Sequence, residues 1–321
     1  MSVLQRSEKH LKNNKKMERN LKFNLDIETN ALLCPNPNEF YSRAYLTEDL
    51  VDNYRTLPGI KSETKLANVA FGNILQPSTC NFSAPTDLLD AIDISVCPLS
   101  AMAQLCQFDL EQSFLSLQMA QGSNGDFTVP AFMNYYWNEM SMKIQEDLEL
   151  IRWQGDTNSE DPTLSLCDGY IVKLLADGDV IDVANVAITA SNVIAQLTAI
   201  LNAAPASIKR KKADLRFYVS SNIATAYELA AATGNTQTYV TLPLALTFLG
   251  IKIVVAEGLP NDTAVLTLKN NMIYAFDAEG DSKALKAVNL ADSVAEPYLR
   301  TRANLKVGFA YTNPSEIVLY S

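Results

Sequence analysis

A chain of 321 residues, 48% apolar and 19% charged, is long enough for one large domain or two modest ones with a real core. Its net charge of −10 is uneven: residues 1–25 carry seven Lys or Arg against two Glu, which is +5, so the remainder carries −15. One histidine, five cysteines without C-x-x-C spacing, a polar start and no long apolar run argue against imidazole catalysis, a zinc site, a disulfide framework, a secretory leader and a membrane span.

Residues 1–25 read as a weak amphipathic helix or a solvated tail, with Leu4, Leu11, Met17 and Leu21 scattered among lysines. The basic charge suits a negative partner. Residues 26–60 contain Pro35, Pro37 and Pro58, which interrupt any long element, and read as an extended arm without a core of its own. Residues 1–60 are therefore taken together as an N-terminal arm.

Residues 61–98 read as two strands joined by a long loop. Val69 and Phe71 alternate with small or polar neighbours, and Ile92, Ile94 and Val96 alternate with Asp93, Ser95 and Cys97. So few large apolar side chains cannot stabilise a hairpin alone in water, so it needs its own body or another subunit. Leu99, Met102, Leu105, Leu110 and Leu115 then mark a strand and a short helix, and residues 122–126 a turn.

Residues 128–153 are the longest regular stretch. Tyr136, Met140, Ile144, Leu148 and Ile151 recur at three- and four-residue steps with Trp137 at the margin, predicting one amphipathic helix. Pro130 suits its first turn, Glu139 and Lys143 stand in the favourable i,i+4 order, and Gly155-Asp156 stops it.

Residues 182–290 read as a compact α/β unit. Ser191 caps a helix with Ile194, Leu197 and Leu201 on its inner face, closed by Pro205. Residues 215–219 form a strand, and a second helix runs from Ser221 to Gly234 with Ile223, Tyr227 and Ala231 inside. Strands follow at 251–255, 264–268 and 272–276. From 299 to 311, Leu305, Val307, Phe309 and Tyr311 face one way and Arg300, Arg302, Asn304 and Lys306 the other. Residues 317–320 add a last short strand.

No constellation of catalytic residues emerges, and no cofactor or metal site is expected. His10 lies in the basic arm, away from any nucleophile or acid. Glu146, Asp147 and Glu149 share an exposed helix face, where neighbouring acids are ordinarily solvated. Asp156, Glu160 and Asp161 lack the alternation and glycine of a calcium loop. No phosphate-binding glycine motif occurs. Lys209, Arg210, Lys211 and Lys212 read as a solubilising loop, and Arg300 and Arg302 as partners for acids of this subunit or the next.

The order of arm, long hairpin, long helix, α/β unit and terminal strand resembles the major capsid protein of tailed bacteriophages, the Hong Kong 97-type fold. Residues 93–99 look like the return strand of that family's extended loop, and residues 153–156 like the break after its spine helix. Phe248-Leu249-Gly250 running into Ile251–Val254 is similar to its axial-domain strand, and residues 300–308 followed by Asn313-Pro314 to its closing strand.

The resemblance implies an α+β chain. It would have an arm (1–60), an extended hairpin loop (61–98), a peripheral domain (99–181 and 291–321) with its spine helix at 128–153, and an axial domain (182–290). It implies a structural subunit, not an enzyme, that assembles with itself into hexamers and pentamers around double-stranded DNA. Portal, scaffolding and decoration proteins would be further partners. No membrane is implied, and the place is the virion, with assembly in the host cytoplasm. An encapsulin-like nanocompartment shell and a soluble α/β enzyme are the competing readings.

Overall fold

The computed structural model describes residues 37–45, 48–70, 88–106, 130–234, 246–277, 285–290 and 295–321. The basic stretch with His10, the turns at 76–86, and the 107–129 segment lie outside them. In chain order the helices are α1 (Pro37–Tyr45), α2 (Glu48–Asn53), α3 (Pro130–Gln154), α4 (Tyr170–Ala176), α5 (Val193–Ala203), α6 (Ala206–Lys209) and α7 (Ser221–Gly234). The early strands are β1 (Arg55–Pro58), β2 (Thr64–Ala70), β3 (Leu88–Ile94), β4 (Cys97–Cys106), β5 (Ile181–Val183), β6 (Leu215–Val219) and β7 (Thr247–Phe248). They are followed by β8 (Ile251–Val255), β9 (Ala264–Leu268), β10 (Met272–Phe276), β11 (Leu285–Asn289), β12 (Tyr298–Tyr311) and β13 (Val318–Tyr320).

Two compact units result. The first comprises Met1–Ala44, Ser100–Met142 and Glu279–Leu305, and the second Tyr45–Leu99, Lys143–Ala278 and Lys306–Ser321.

In the first unit, β11 runs antiparallel to β12 with Leu285 opposite Ala303 and Asn289 opposite Leu299, and β4 also pairs with β12. The alternation of apolar and charged residues puts Leu285, Ala287, Leu299, Thr301 and Ala303 inside and leaves the other sheet face in solvent. Phe40, Met133 and Trp137 complete the core, with Phe40 meeting Trp137 edge-on at 5.4 Å. The Tyr136 hydroxyl lies 2.6 Å from Thr301 Oγ1.

The coreless arm expected over residues 26–60 is corrected for residues 37–45 and 48–60, while residues 26–36 lie outside the described residues. Pro37 opens α1, where its missing N–H costs nothing, and Phe40, Tyr41 and Ala44 are buried on one helical stripe. Tyr45, Leu50 and Tyr54 are buried in the second unit.

Helix α3 has 25 residues, about 37 Å at 1.5 Å each. Its buried stripe is Met133, Trp137, Ser141, Ile144, Leu148 and Ile151. The stripe thus centres on Trp137 in its first half, and Tyr136 and Met140 lie half-buried at its border. Lys143 meets Glu146 at 3.2 Å and Asp147 at 3.1 Å rather than the expected Glu139. Gly155 follows the last helical residue and must be glycine there, since a Cβ would stand 2.1 Å from the Cys167 carbonyl oxygen.

In the second unit, six strands run in the order β5-β13-β9-β6-β8-β7, with β6 and β8 parallel around the crossover helix α7. Val193, Leu197 and Ile200 of α5 pack with Phe217, Ile251 and Leu266 in its core. The helix cap is Asn192 rather than Ser191, and Ile194, assigned inward, is 49% exposed. The face is therefore turned by one residue.

Strand pairing divides the 182–290 stretch. Strand β10 leaves the six-stranded sheet to pair in parallel with β1, Arg55 opposite Ile273, and antiparallel with β12, Phe276 opposite Val307. Strand β13, from the end of the sequence, takes the second place in the six-stranded sheet, between β5 and β9.

The expectation of unpaired thiols is also corrected. Cys97 and Cys167 form a disulfide, with their Cα atoms 5.9 Å apart and a sequence separation of 70. The cross-link joins the start of β4 to the loop before α4. Cys106 is a free, half-buried thiol.

Candidate assembly surfaces

The acids and bases singled out in sequence do not converge. Asp156 Oδ1 accepts from the Asn158 amide at 2.8 Å, and Asp161 Oδ1 from the Thr163 amide at 2.7 Å, so both serve as turn caps. Lys209 Nζ donates to the Asn202 carbonyl at 2.9 Å, closing α5 onto α6, and residues 210–212 are exposed. Among the described residues no cluster of His, Cys, Asp and Glu could hold a metal ion, and no helix is long and apolar enough to cross a membrane.

Among the described residues, one charged side chain is buried. Arg152, 4% exposed, sits near the C-terminus of α3 among Tyr54, Trp153, Tyr170 and Tyr274. Its guanidinium carbon lies 5.3 Å from the ring centres of both Tyr54 and Tyr274. Burial alone would depress its pKa; the negative charge of Glu149, whose carboxylate is 2.8 Å away, and the surrounding tyrosines more than reverse this. Burial likewise holds the Tyr54, Tyr170, Tyr218 and Tyr274 hydroxyls well above their ordinary value. The cluster is a polar lock inside the second unit. In sequence, an arginine three residues after a glutamate looks like any surface helix pair.

Two surfaces remain open. The first is the hairpin. Among the described residues, strands β2 and β3 pair only with each other, Thr64 opposite Ile94 through Ala70 opposite Leu88. Lys65 and Asp93 form a cross-strand ion pair at 3.3 Å, too exposed to contribute much. The base of the hairpin is firm because Ile94, 1% exposed, packs with Ile273, Ala275 and Ala310. Beyond it, Lys65, Ala67 and Ala91 face solvent.

The second is the solvent face of β4, β11 and β12. Met102 is 71% exposed and Val288 44%. They line a groove of about 460 Å³ with Gln104, Lys286, Arg300 and Arg302. Arg300 Nε donates to Gln104 Oε1 at 2.9 Å, and its guanidinium comes within 3.8 Å of Glu296. Arg302 Nε donates to Ser100 Oγ at 3.1 Å and Asn304 Oδ1 at 2.9 Å, both neutral groups. The predicted pairing with an acid of the same subunit is met only by Arg300.

Solved structures share this arrangement of strands and helices. The capsid of a native GTA particle is 16% identical and aligns over 86% of this chain and 90% of its own, with a TM-score of 0.53. The procapsid of satellite phage P4 is 12% identical over 88% and 96%, with a TM-score of 0.56. The chain has the Hong Kong 97-type capsid fold. A chain from Mycobacterium phage Cain, 10% identical over 86% and 90% with a TM-score of 0.54, shares it. No protein-family model matches the sequence, and no curated protein matches it. The Hong Kong 97-type likeness is thus carried by backbone geometry with little identity of side chains. It extends over 86% and 88% of this chain in the first two of these structures.

Proposed function

We propose that this protein is a major capsid protein, the structural subunit of an icosahedral shell around a double-stranded DNA genome. Copies associate into hexamers and pentamers through heterologous contacts that close into rings. The observation that carries the reading is the β2–β3 hairpin, two strands that have no third strand beside them among the described residues. Such a ribbon is marginal in water and is completed by packing on another copy.

In this reading the six-stranded sheet with α5 and α7 supplies the axial domain, so that β13 joins it from the 291–321 stretch, and α3 with β4, β11 and most of β12 the peripheral domain. The acidic body limits adhesion to DNA while free subunits accumulate. The chain acts without catalysis or a cofactor. Its partners are itself and, at specialised positions, portal, scaffolding or decoration proteins. The packaged genome is touched nonspecifically at the inner surface, and assembly takes place in the host cytoplasm.

The test must spare the hairpin's base, because Ile94 belongs to the core and Cys97 to the disulfide. Residues 66–92 are replaced by a short Gly/Ser linker, and both proteins are followed by light scattering and negative-stain imaging. Wild type should give closed particles or ring-shaped capsomers. The shortened protein should stay folded and give neither. A wild-type protein that remains monomeric in all salt conditions, or a shortened one that forms normal particles, overturns the reading.

A further inference from the structure

We infer that the solvent face of β4, β11 and β12 is an intersubunit surface that receives an acidic, apolar-bearing segment of a second copy. Lys286 stands directly opposite Arg302 across the β11–β12 ladder, and Arg300 opposite Val288. Like charges placed opposite one another weaken a sheet. Among the described residues the only carboxylate beside these three cations is Glu296, at 3.8 Å from Arg300. The face carries an electrostatic cost within the isolated chain, and an incoming carboxylate relieves it.

The apolar content of the face decides which anion fits. Met102, 71% exposed, and Val288 stand among the cations, so a partner that pairs with the cations alone leaves a large thioether side chain in water. A phosphate backbone does so. A polypeptide carrying acids next to aliphatic side chains covers both. A second copy is a ready source, because this chain has 36 acidic against 26 basic residues, and outside residues 1–25 its charge is −15 by the count above. The contact is heterologous, a basic patch on one copy against a different, acidic patch on the next, as ring closure requires. It rests on the shell reading and assigns part of its surface.

A photoreactive amino acid at Met102, a position open enough not to disturb folding, is irradiated in assembled particles and the product is mapped by mass spectrometry. The expected product joins Met102 to a carboxylate-rich peptide of another copy. Cross-linking to nucleic acid, or to nothing, overturns the inference. In parallel, Arg300→Glu with Arg302→Glu should keep the circular dichroism and melting temperature of wild type and reduce particle yield by about tenfold or more. Wild-type yield from a folded double variant overturns the inference and leaves the shell reading standing. Failure of the wild-type protein itself to assemble removes the shell reading, and this inference with it. If the double variant does not fold, the cross-link alone decides.

Discussion

Glu149 and Arg152 stand one turn apart on α3, and their 2.8 Å ion pair is buried on the arginine side, where the side chain is 5% exposed, and open on the glutamate side, at 27%. Glu149 is therefore the counter-charge that lets a guanidinium sit among four aromatic rings. Glu149→Gln should cost about 3 kcal/mol, because it leaves a buried cation uncompensated. Joint replacement by Glu149→Gln and Arg152→Met should recover most of that loss, since two well-packed neutral side chains substitute for the pair. Urea unfolding of the two single variants and the double variant measures the coupling, and purely additive losses would deny it.

Raising the pH should unfold the protein in one cooperative step. Burial raises the pKa of Tyr54, Tyr170, Tyr218, Tyr274 and Tyr311 above the ordinary value of 10.0. The unfolded chain therefore releases these protons first. Their stabilisation is complete below pH 10 and declines as pH rises from there toward the folded-state values. Lys173 acts in the other direction: burial lowers its pKa, against the pull of Asp168, so its penalty eases as pH rises toward the ordinary value of 10.5. One lysine does not offset five tyrosines. Tyrosinate absorbance should rise together with loss of circular dichroism; ionisation of these tyrosines in a still-folded chain would contradict their burial.

The Cys97–Cys167 bond closes a loop of 70 residues. Loop-closure entropy for that length corresponds to about 4 kcal/mol. Dithiothreitol, or Cys97→Ser, should lower the melting temperature of the purified protein by several degrees. Cys106→Ser, which removes a free thiol, should leave it nearly unchanged. Equal melting temperatures with and without reductant would show that the bond constrains nothing.

Gly258→Ala should be among the most damaging single-methyl additions. A Cβ there would stand 2.2 Å from the Glu149 carbonyl oxygen, a backbone atom that cannot rotate away. The Gln154 side chain also donates to the Gly258 carbonyl at 2.7 Å, so a shift of this loop loses that bond as well. A loss of about 2–4 kcal/mol is expected. Gly178→Ala meets nothing within 4 Å and serves as the control. Thermal melts of the two variants should differ clearly.

What the sequence made legible follows from periodicity. Strands β6, β8, β9 and β10 stand at their expected positions because β-branched and aromatic runs suit buried strands. The alternation of Arg300, Arg302 and Asn304 with Leu299, Ala303 and Leu305 marked both faces of β12. Helix faces were right in outline and off by a residue in detail, as Trp137 and Ile194 show, because 3.6 residues per turn leaves border positions ambiguous.

Longer-range facts left no local trace. Pro37 looked like a breaker and is a helix start. Cys97 and Cys167 carry no spacing signal because their meeting depends on the tertiary path. The pairing of β10 with β1 rather than with its sequence neighbour β9 is likewise a property of the whole chain. Of the two open surfaces, the hairpin was visible as alternation poor in large apolar residues. The basic sheet face was not, since the opposition of Lys286 and Arg302 exists only once β11 and β12 are in register.

The hydroxyl of Tyr45 accepts a hydrogen bond from the Lys306 amide, 261 positions along the chain, and β1 with only four residues is held by β10 from the far side of the sequence. Contacts of such separation form late, because the closure entropy of very long loops must be met before they add any stability. The subunit therefore matures slowly from its unfolded state, and a pool of newly made chains spends that interval with β10 and β12 uncovered on one flank. Crowded synthesis of many copies makes that interval the hazardous one for misjoining, so slower production or a folding helper should raise the yield of usable subunits more than any improvement in their final stability.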